Sequence, residues 1–184
     1  MLFRSTPSDW QSVDRNASPG TEQVSFFLGK GFVVSFHEHH CPMVDEVRRR
    51  ILQSVGRIRK LPCDYLLYSL LDASTDAYFP VLEEIGREID DLEDEILEVT
   101  TPLLVSKIHD VKRHLVTLRR AVWPQREAIN TLIRDESEQV TAETRVYFRD
   151  LHDHSFQVVE LIETYRELAA DLTDLYMSTV SNRM

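Results

Sequence analysis

The chain has 184 residues and carries 31 aspartates and glutamates against 21 lysines and arginines, a formal net charge of −10. That excess of negative charge excludes nucleic acid as a principal partner, because phosphate binding needs positive surface. The length suffices for one domain with a core, no apolar run approaches the roughly 18 residues of a membrane span, and the polar first twenty residues exclude a signal peptide. The chain as given reads as soluble, and its two cysteines, Cys41 and Cys63, lack metal-type spacing and read as reduced thiols.

The segment 1–20 opens on Met1-Leu2-Phe3 and turns polar through Ser5, Pro7, Asn16 and Pro19, the pattern of a strand end followed by a loop. Val24 to Leu28 and Phe32 to Phe36 flank Gly29-Lys30-Gly31, which predicts a β-hairpin. A lone hairpin is marginal in water, so this end of the chain is expected to belong to a larger sheet. A helix is expected after Pro42, with Val44, Val47, Ile51, Val55 and Ile58 on one face and a crowd of arginines on the others, stopping at Leu61-Pro62.

Asp64 is placed to cap the following helix by accepting a backbone N–H. That helix is expected to run toward Val99 with a kink at Pro80. Its apolar face beyond the kink is Leu82, Ile85, Ile89, Leu92, Ile96 and Val99. Between Glu83 and Glu98 stand nine carboxylates and one arginine. Thr101 and Pro102 suit the cap and first position of a new helix. In it Leu104, Ile108, Val111, Leu115, Leu118, Val122, Gln125, Ile129 and Leu132 are in register, and its outer face is basic. A kink is expected at Pro124. The short connection makes the acidic and basic helices antiparallel neighbours, with opposite charge expected to fix their pairing at about 0–1 kcal/mol per exposed pair.

The apolar rhythm lapses around 135–144, and one last helix is expected from there to the end. Phe148, Leu151, Ser155, Val158, Ile162, Tyr165, Ala169, Leu172, Tyr176 and Thr179 step by alternating three and four, the seam of a helix packed along its whole length. A second stripe contains Asp150, Asp153, Gln157, Glu160, Thr164, Glu167, Asp171, Asp174 and Ser178, six of its nine members being carboxylates. Such a helix would span roughly 60–70 Å at 1.5 Å per residue and is expected to project or find a partner. It ends on Ser181-Asn182-Arg183-Met184 without a stop signal, which reads as a helix cut in its middle.

Three candidate chemistries follow. His37-Glu38-His39-His40-Cys41 puts Cys41 where a zincin needs its second histidine, which leaves His37 and His39 as a metal pair or as a polar strand end. His109, His114, His152 and His154 read as surface residues. The carboxylate stripe of the last helix suits a hydrated divalent ion shared with a neighbour, or is a solvated face. No phosphate loop, nucleophile triad or CxxC is present, so the chain does not read as an enzyme.

Several runs, in order, resemble the CorA family of magnesium transporters. They are Gly56-Arg57-Ile58-Arg59-Lys60, Asp64-Tyr65-Leu66-Leu67-Tyr68-Ser69-Leu70-Leu71-Asp72-Ala73, Tyr78-Phe79-Pro80-Val81-Leu82-Glu83, Leu118-Arg119-Arg120-Ala121-Val122-Trp123-Pro124, Tyr147-Phe148-Arg149-Asp150-Leu151-His152-Asp153-His154 and Asp174-Leu175-Tyr176-Met177-Ser178-Thr179-Val180-Ser181-Asn182. The hairpin fits a strand pair of the same family, so the resemblance covers about residues 21–184. It implies an α+β, mainly α fold in three parts. Residues 1–62 would be a partial N-terminal αβ domain, the remnant of a small αβα domain. Residues 63–135 would be two long antiparallel "willow" helices, acidic then basic, and residues 136–184 a stalk helix leading toward a pore. Family members are pentameric channels that pass Mg²⁺, and often Co²⁺ or Ni²⁺, across the cell membrane, with this part cytoplasmic.

The resemblance further implies that cytoplasmic Mg²⁺ between subunits holds the channel closed. Asp174 matches a stalk aspartate of the main inter-subunit regulatory site, and Asp150 one of a second, weaker site. Their family partners lie in an earlier acidic region that this sequence lacks, as it lacks the membrane spans and the Gly-Met-Asn signature. The chain is therefore expected to be a homo-oligomeric ion-sensing piece that does not transport by itself, with regulatory Mg²⁺, or Co²⁺, weakly held or lost. Two alternatives stay open: a zinc-transporting relative of the same architecture, and a helical scaffold that binds a protein through the seam of its last helix.

Overall fold

In a computed structural model, the described residues are 2–5, 22–37, 39–99, 101–134 and 138–183. Three strands form an antiparallel sheet in the order β1 (Leu2–Ser5), β2 (Glu22–Gly29), β3 (Phe32–Phe36). The loop expected between Ser5 and the hairpin lies outside the described residues. Gly29 pairs with Phe32, so the turn is the two-residue Lys30-Gly31, and Gly31 adopts φ 84°, a conformation glycine takes without steric cost. Alternation sorts the hairpin into two faces. Val24 and Phe26 are buried with Leu28 and Val33 packed beside them, whereas Phe27, Phe32, Val34 and Phe36 face outward and are exposed.

Helix α1 (Pro42–Leu52) stops well before the expected Leu61-Pro62. Ser54 turns left-handed at φ 55°, its N–H bonds to the Ile51 carbonyl at 3.2 Å, and the Val55 N–H reaches back to Arg50 at 3.0 Å. This is a Schellman stop with serine where glycine is usual. Val55 consequently leaves the apolar face and is 50 % exposed, while Ile58 still returns to the core from the turn that follows.

The kink expected at Pro80 is instead a break. Helix α2 (Cys63–Asp76) ends at Ala77, and α3 (Tyr78–Glu98) begins immediately after. Pro80 then lies in the first turn of α3, where its missing N–H costs nothing. Val99 falls outside α3 and is exposed, but Leu82, Ile85, Ile89, Leu92 and Ile96 are buried as the spacing predicts. Helix α4 (Pro102–Arg134) runs through Pro124 without interruption, and every one of its in-register positions from Leu104 to Leu132 is buried.

Helix α5 (Ala142–Arg183) has 42 residues, about 63 Å at 1.5 Å per residue. It does not project alone. It packs antiparallel to α4 and alongside α3, and Arg183 donates to the Leu97 and Glu98 carbonyls at 2.8 and 3.2 Å. A cation on those terminal carbonyls is favoured by the helix dipole. The seam is therefore covered: Phe148, Leu151, Ser155, Val158, Ile162, Ala169 and Leu172 are buried. Lys107 meets Glu95 of α3 at 2.6 Å, but Arg119 turns to Glu163 and Lys112 to Thr173, both on α5. The basic helix thus serves the last helix as well as its acidic neighbour.

Two apolar clusters result. One joins the hairpin, α1 and α2 to the distal part of α4 and the start of α5; the other joins α3 to the rest of α4 and α5. The two long helices α4 and α5 cross both clusters.

Candidate metal site

At the junction of α2 and α5 the buried Asp64 carboxylate ties the two helices together. One oxygen accepts from the Tyr65 N–H at 2.9 Å; the other accepts from the Thr141 N–H and hydroxyl at 2.7 and 2.8 Å. Thr141 in turn caps α5, its Oγ accepting from the Thr144 N–H at 3.2 Å. Asp64 is not the cap expected of α2, whose N-cap is Pro62 without a side-chain cap bond; it lies in the first turn and accepts only the Tyr65 N–H there, its other bonds going to Thr141 at the start of the last helix. This anchor fixes the first turns of α5 against α2 and sets which side chains meet there.

Those side chains form an acidic cleft of about 410 Å³, lined by Tyr68, Asp72, Asp150, Asp153, His154 and Gln157, with Leu151 at its base. Asp72 is partly buried; that burial, followed by the nearby Asp76, raises its carboxyl above the ordinary range, while His154, Arg50 and the Tyr68 hydroxyl pull it back. Burial and Asp72 push the Tyr68 hydroxyl up, so it stays protonated and donates to the carboxylate. Tyr68 is itself held in an aromatic cluster with Tyr65, Tyr147 and Phe148, the ring centroids lying 5.3, 5.3 and 6.1 Å from its own. His154 stacks on Phe79 at 5.0 Å, and its Nδ1 lies 3.7 Å from Asp76.

Of the residues singled out in the sequence, Asp150 opens into this cleft and is exposed. Asp174 is exposed too, but lies 24 positions further along α5, about 36 Å away, so the two carboxylates serve no common ion within one chain. All nine members of the second stripe, from Asp150 to Ser178, face outward. The His37–His39 pair does not form a ligand set: His37 Nδ1 bonds to the His39 carbonyl at 2.6 Å, and His40 turns to Asp45 at 2.7 Å. His114 is a correction, since it is buried rather than on the surface and burial, with Arg113, lowers its pKa. Among the described residues, the one group of three or more histidine, cysteine or carboxylate side chains with ligand atoms close together is Asp72, Asp76 and His154. Nothing local marks it, because His154 lies 78 and 82 positions from Asp76 and Asp72 along the chain; only the i, i+4 spacing of the aspartates was visible.

The sequence model described as "CorA-like Mg2+ transporter protein" matches residues 5–184. The chain is 46% identical over 163 residues to the cobalt/magnesium transport protein CorA of Thermotoga maritima, covering 89% of this chain and 46% of that protein. It thus spans about half the length of that curated relative. Among solved structures, the complete CorA magnesium transporter of Methanocaldococcus jannaschii matches all of the chain at a TM-score of 0.83 and 19% identity, over 56% of its own length. The ZntB cytoplasmic domain of Vibrio parahaemolyticus matches 99% of the chain at 0.80 and 18% identity, over 69% of its own length. These two share the fold. No helix among the described residues is long and apolar enough to cross a membrane. The family match over nearly the whole chain, together with the close bacterial relative, shows that the chain belongs to the CorA-like Mg²⁺ transporter family.

Proposed function

We propose that this chain is the ion-sensing part of a CorA-type Mg²⁺/Co²⁺ transport protein, acting on the cytoplasmic side of the membrane as a homo-oligomer and not transporting by itself. It is neither an enzyme nor a nucleic-acid binder. The observation that carries this reading is the wholly exposed carboxylate stripe of α5, which runs from Asp150 beside the acidic cleft down to Asp174. One face of α5 is fully used by α3 and α4, so the stripe is left for solvent, ions and neighbouring copies. Mg²⁺ between facing carboxylates neutralises them and holds copies together, and its loss leaves like charges to repel and the helices to move. Magnesium keeps several waters, which suits exposed carboxylates without an enclosing cage.

The cobalt/magnesium name of the 46% identical relative supports the ions chosen. The ZntB match supports a second reading, a zinc transport relative with the same fold. The scaffold alternative loses its motive, because the seam from Phe148 to Leu172 is already buried.

The test is limited proteolysis of the full-length protein across a Mg²⁺ titration. Protection is expected to rise with Mg²⁺, and Asp150→Ala and Asp174→Ala each to move its midpoint upward by about threefold or more, roughly 0.6 kcal/mol of lost ion binding. Protection that ignores Mg²⁺, or that both variants leave unchanged, would sink the sensor role.

A further inference from the structure

We propose that copies of this chain dock flank to flank: an arginine–tryptophan surface on α4 and α5 of one copy enters the acidic groove between α3 and α5 of the next. The inference rests on the homo-oligomer reading above. It concerns residues outside the sensor stripe and a contact that needs no metal ion.

The first surface is a stack. The guanidinium carbons of Arg119 and Arg126 lie 5.8 and 5.6 Å from the centre of the Trp123 ring, and that of Arg126 also lies 5.2 Å from the centre of the Phe156 ring. Arg126 is thus held between two rings, and its Nε is buried without a hydrogen-bond partner. Neither Arg126 nor the exposed Arg120 has an ion pair among the described residues. Trp123, Phe156 and Val116 nevertheless stay 45, 41 and 37% exposed. Stacking fixes the plane of a guanidinium while leaving its forked N–H groups for carboxylates. Tryptophan and arginine clustered in this way are the composition of an interface centre.

The second surface complements the first in shape and charge. A groove of about 430 Å³ is lined by Glu83, Gly86, Arg87, Asp90, Tyr165 and Leu168. Gly86 leaves its floor bare: a Cβ there would lie 2.6 Å from the Tyr165 hydroxyl oxygen. Arg87, the one cation of the groove, is engaged by Glu84 at 2.5 Å. Glu83 and Asp90 are exposed and have no ion pair among the described residues. The groove therefore offers an apolar seat for Trp123 and carboxylates for Arg120 and Arg126, a match of opposite charge that steers encounter and fixes register.

Placement identifies the occupant as a second copy. At about 100° per residue, Phe156 and Glu163 fall on one side of the carboxylate stripe of α5, and Tyr165 and Leu168 on the other. The two surfaces are opposite flanks of one helix, within about 10 Å of the same height along it. A contact between unlike flanks is heterologous, and with so little rise it closes into a ring rather than a filament.

The experiment co-expresses full-length copies carrying Val116→Cys with copies carrying Leu168→Cys, both in a Cys41→Ser/Cys63→Ser background, and treats them with a short bismaleimide in EDTA. The two cysteines border the contact without replacing its arginines or carboxylates. The mixed copies are expected to give a cross-linked dimer that neither variant gives alone. Arg120→Glu in the first copy is expected to slow the cross-link at least about tenfold. Glu83→Arg/Asp90→Arg in the second copy is expected to restore it, which a misfolded variant would not allow. Asp174→Ala is expected to leave it unchanged, which separates this contact from the sensor stripe. Copies that light scattering shows assembled but that do not cross-link would overturn the contact and leave the homo-oligomer reading standing; a monomeric full-length protein would remove both. A cross-link that requires Mg²⁺, that Arg120→Glu leaves at the parent rate, or that the reversed groove does not restore would equally overturn the proposal.

Discussion

Two aspartates on α2 show opposite uses of a carboxylate. Asp64 is fully buried and accepts three hydrogen bonds, two of them from Thr141. Removing it strands those donors, and hydrogen bonds to a charged group contribute more than neutral ones. Asp64→Ala is therefore expected to cost about 2–4 kcal/mol in urea unfolding, and a change within experimental error would show that the α2–α5 anchor is not structural. Asp72 instead opposes folding. Its folded-state pKa lies above 3.8, so no penalty exists below that pH, and stability is lost as pH rises through the raised value. Asp72→Asn is expected to raise Tm at pH 7 by about 1–3 °C, discounted for solvent screening, and to give no gain below about pH 3.8. A thermal scan at both pH values checks the sign. Sequence spacing marked Asp64 as an acceptor of a backbone N–H at the start of α2 but not as the tie to α5, because Thr141 lies 77 positions away. For the same reason His154 read as a surface residue: only packing of α5 on α2 brings it beside Asp72 and Asp76.

At the scale of elements, periodic apolar spacing was the legible part. The seam of α5 and the core face of α4 hold nearly position for position, since a helix turns its own residues to one side whatever surrounds it. Boundaries were less legible. The end of α1 depends on one serine in a left-handed conformation, φ 55° at Ser54, which nothing in the composition demands. Such a conformation costs a non-glycine residue about 1–2 kcal/mol. Ser54→Gly is accordingly expected to stabilise the protein by about 1 kcal/mol in urea unfolding. Destabilisation would mean that the Ser54 hydroxyl, which accepts from Arg59 at 2.7 Å, contributes more than the strain costs. The partition of charge was also only half visible. The acidic and basic faces of α3 and α4 were plain, but Arg119 and Lys112 reach α5, because α5 lies within their reach along most of α4.

For the molecule as a whole, the family and its fold were within reach of the sequence because the recognisable runs occur in order along most of its length. The covered seam changes what that fold leaves available. With α3 and α4 on one side of α5, the proposed ion-bridged contacts between copies would fall to the carboxylate stripe, and the net charge of −10 makes such contacts costly without cations. The ion-dependent assembly proposed above rests on that balance. It is tested most directly by the distance between α5 helices of neighbouring copies in the full-length protein. A spin label at Met177, which is 62% exposed, in a Cys41→Ser/Cys63→Ser background gives that distance by pulsed electron resonance. The account predicts one short, narrow distance in Mg²⁺ that becomes longer and broader when Mg²⁺ is removed, with Asp150→Ala and Asp174→Ala broad at Mg²⁺ levels that order the parent. A distribution that is the same with and without Mg²⁺ would contradict it.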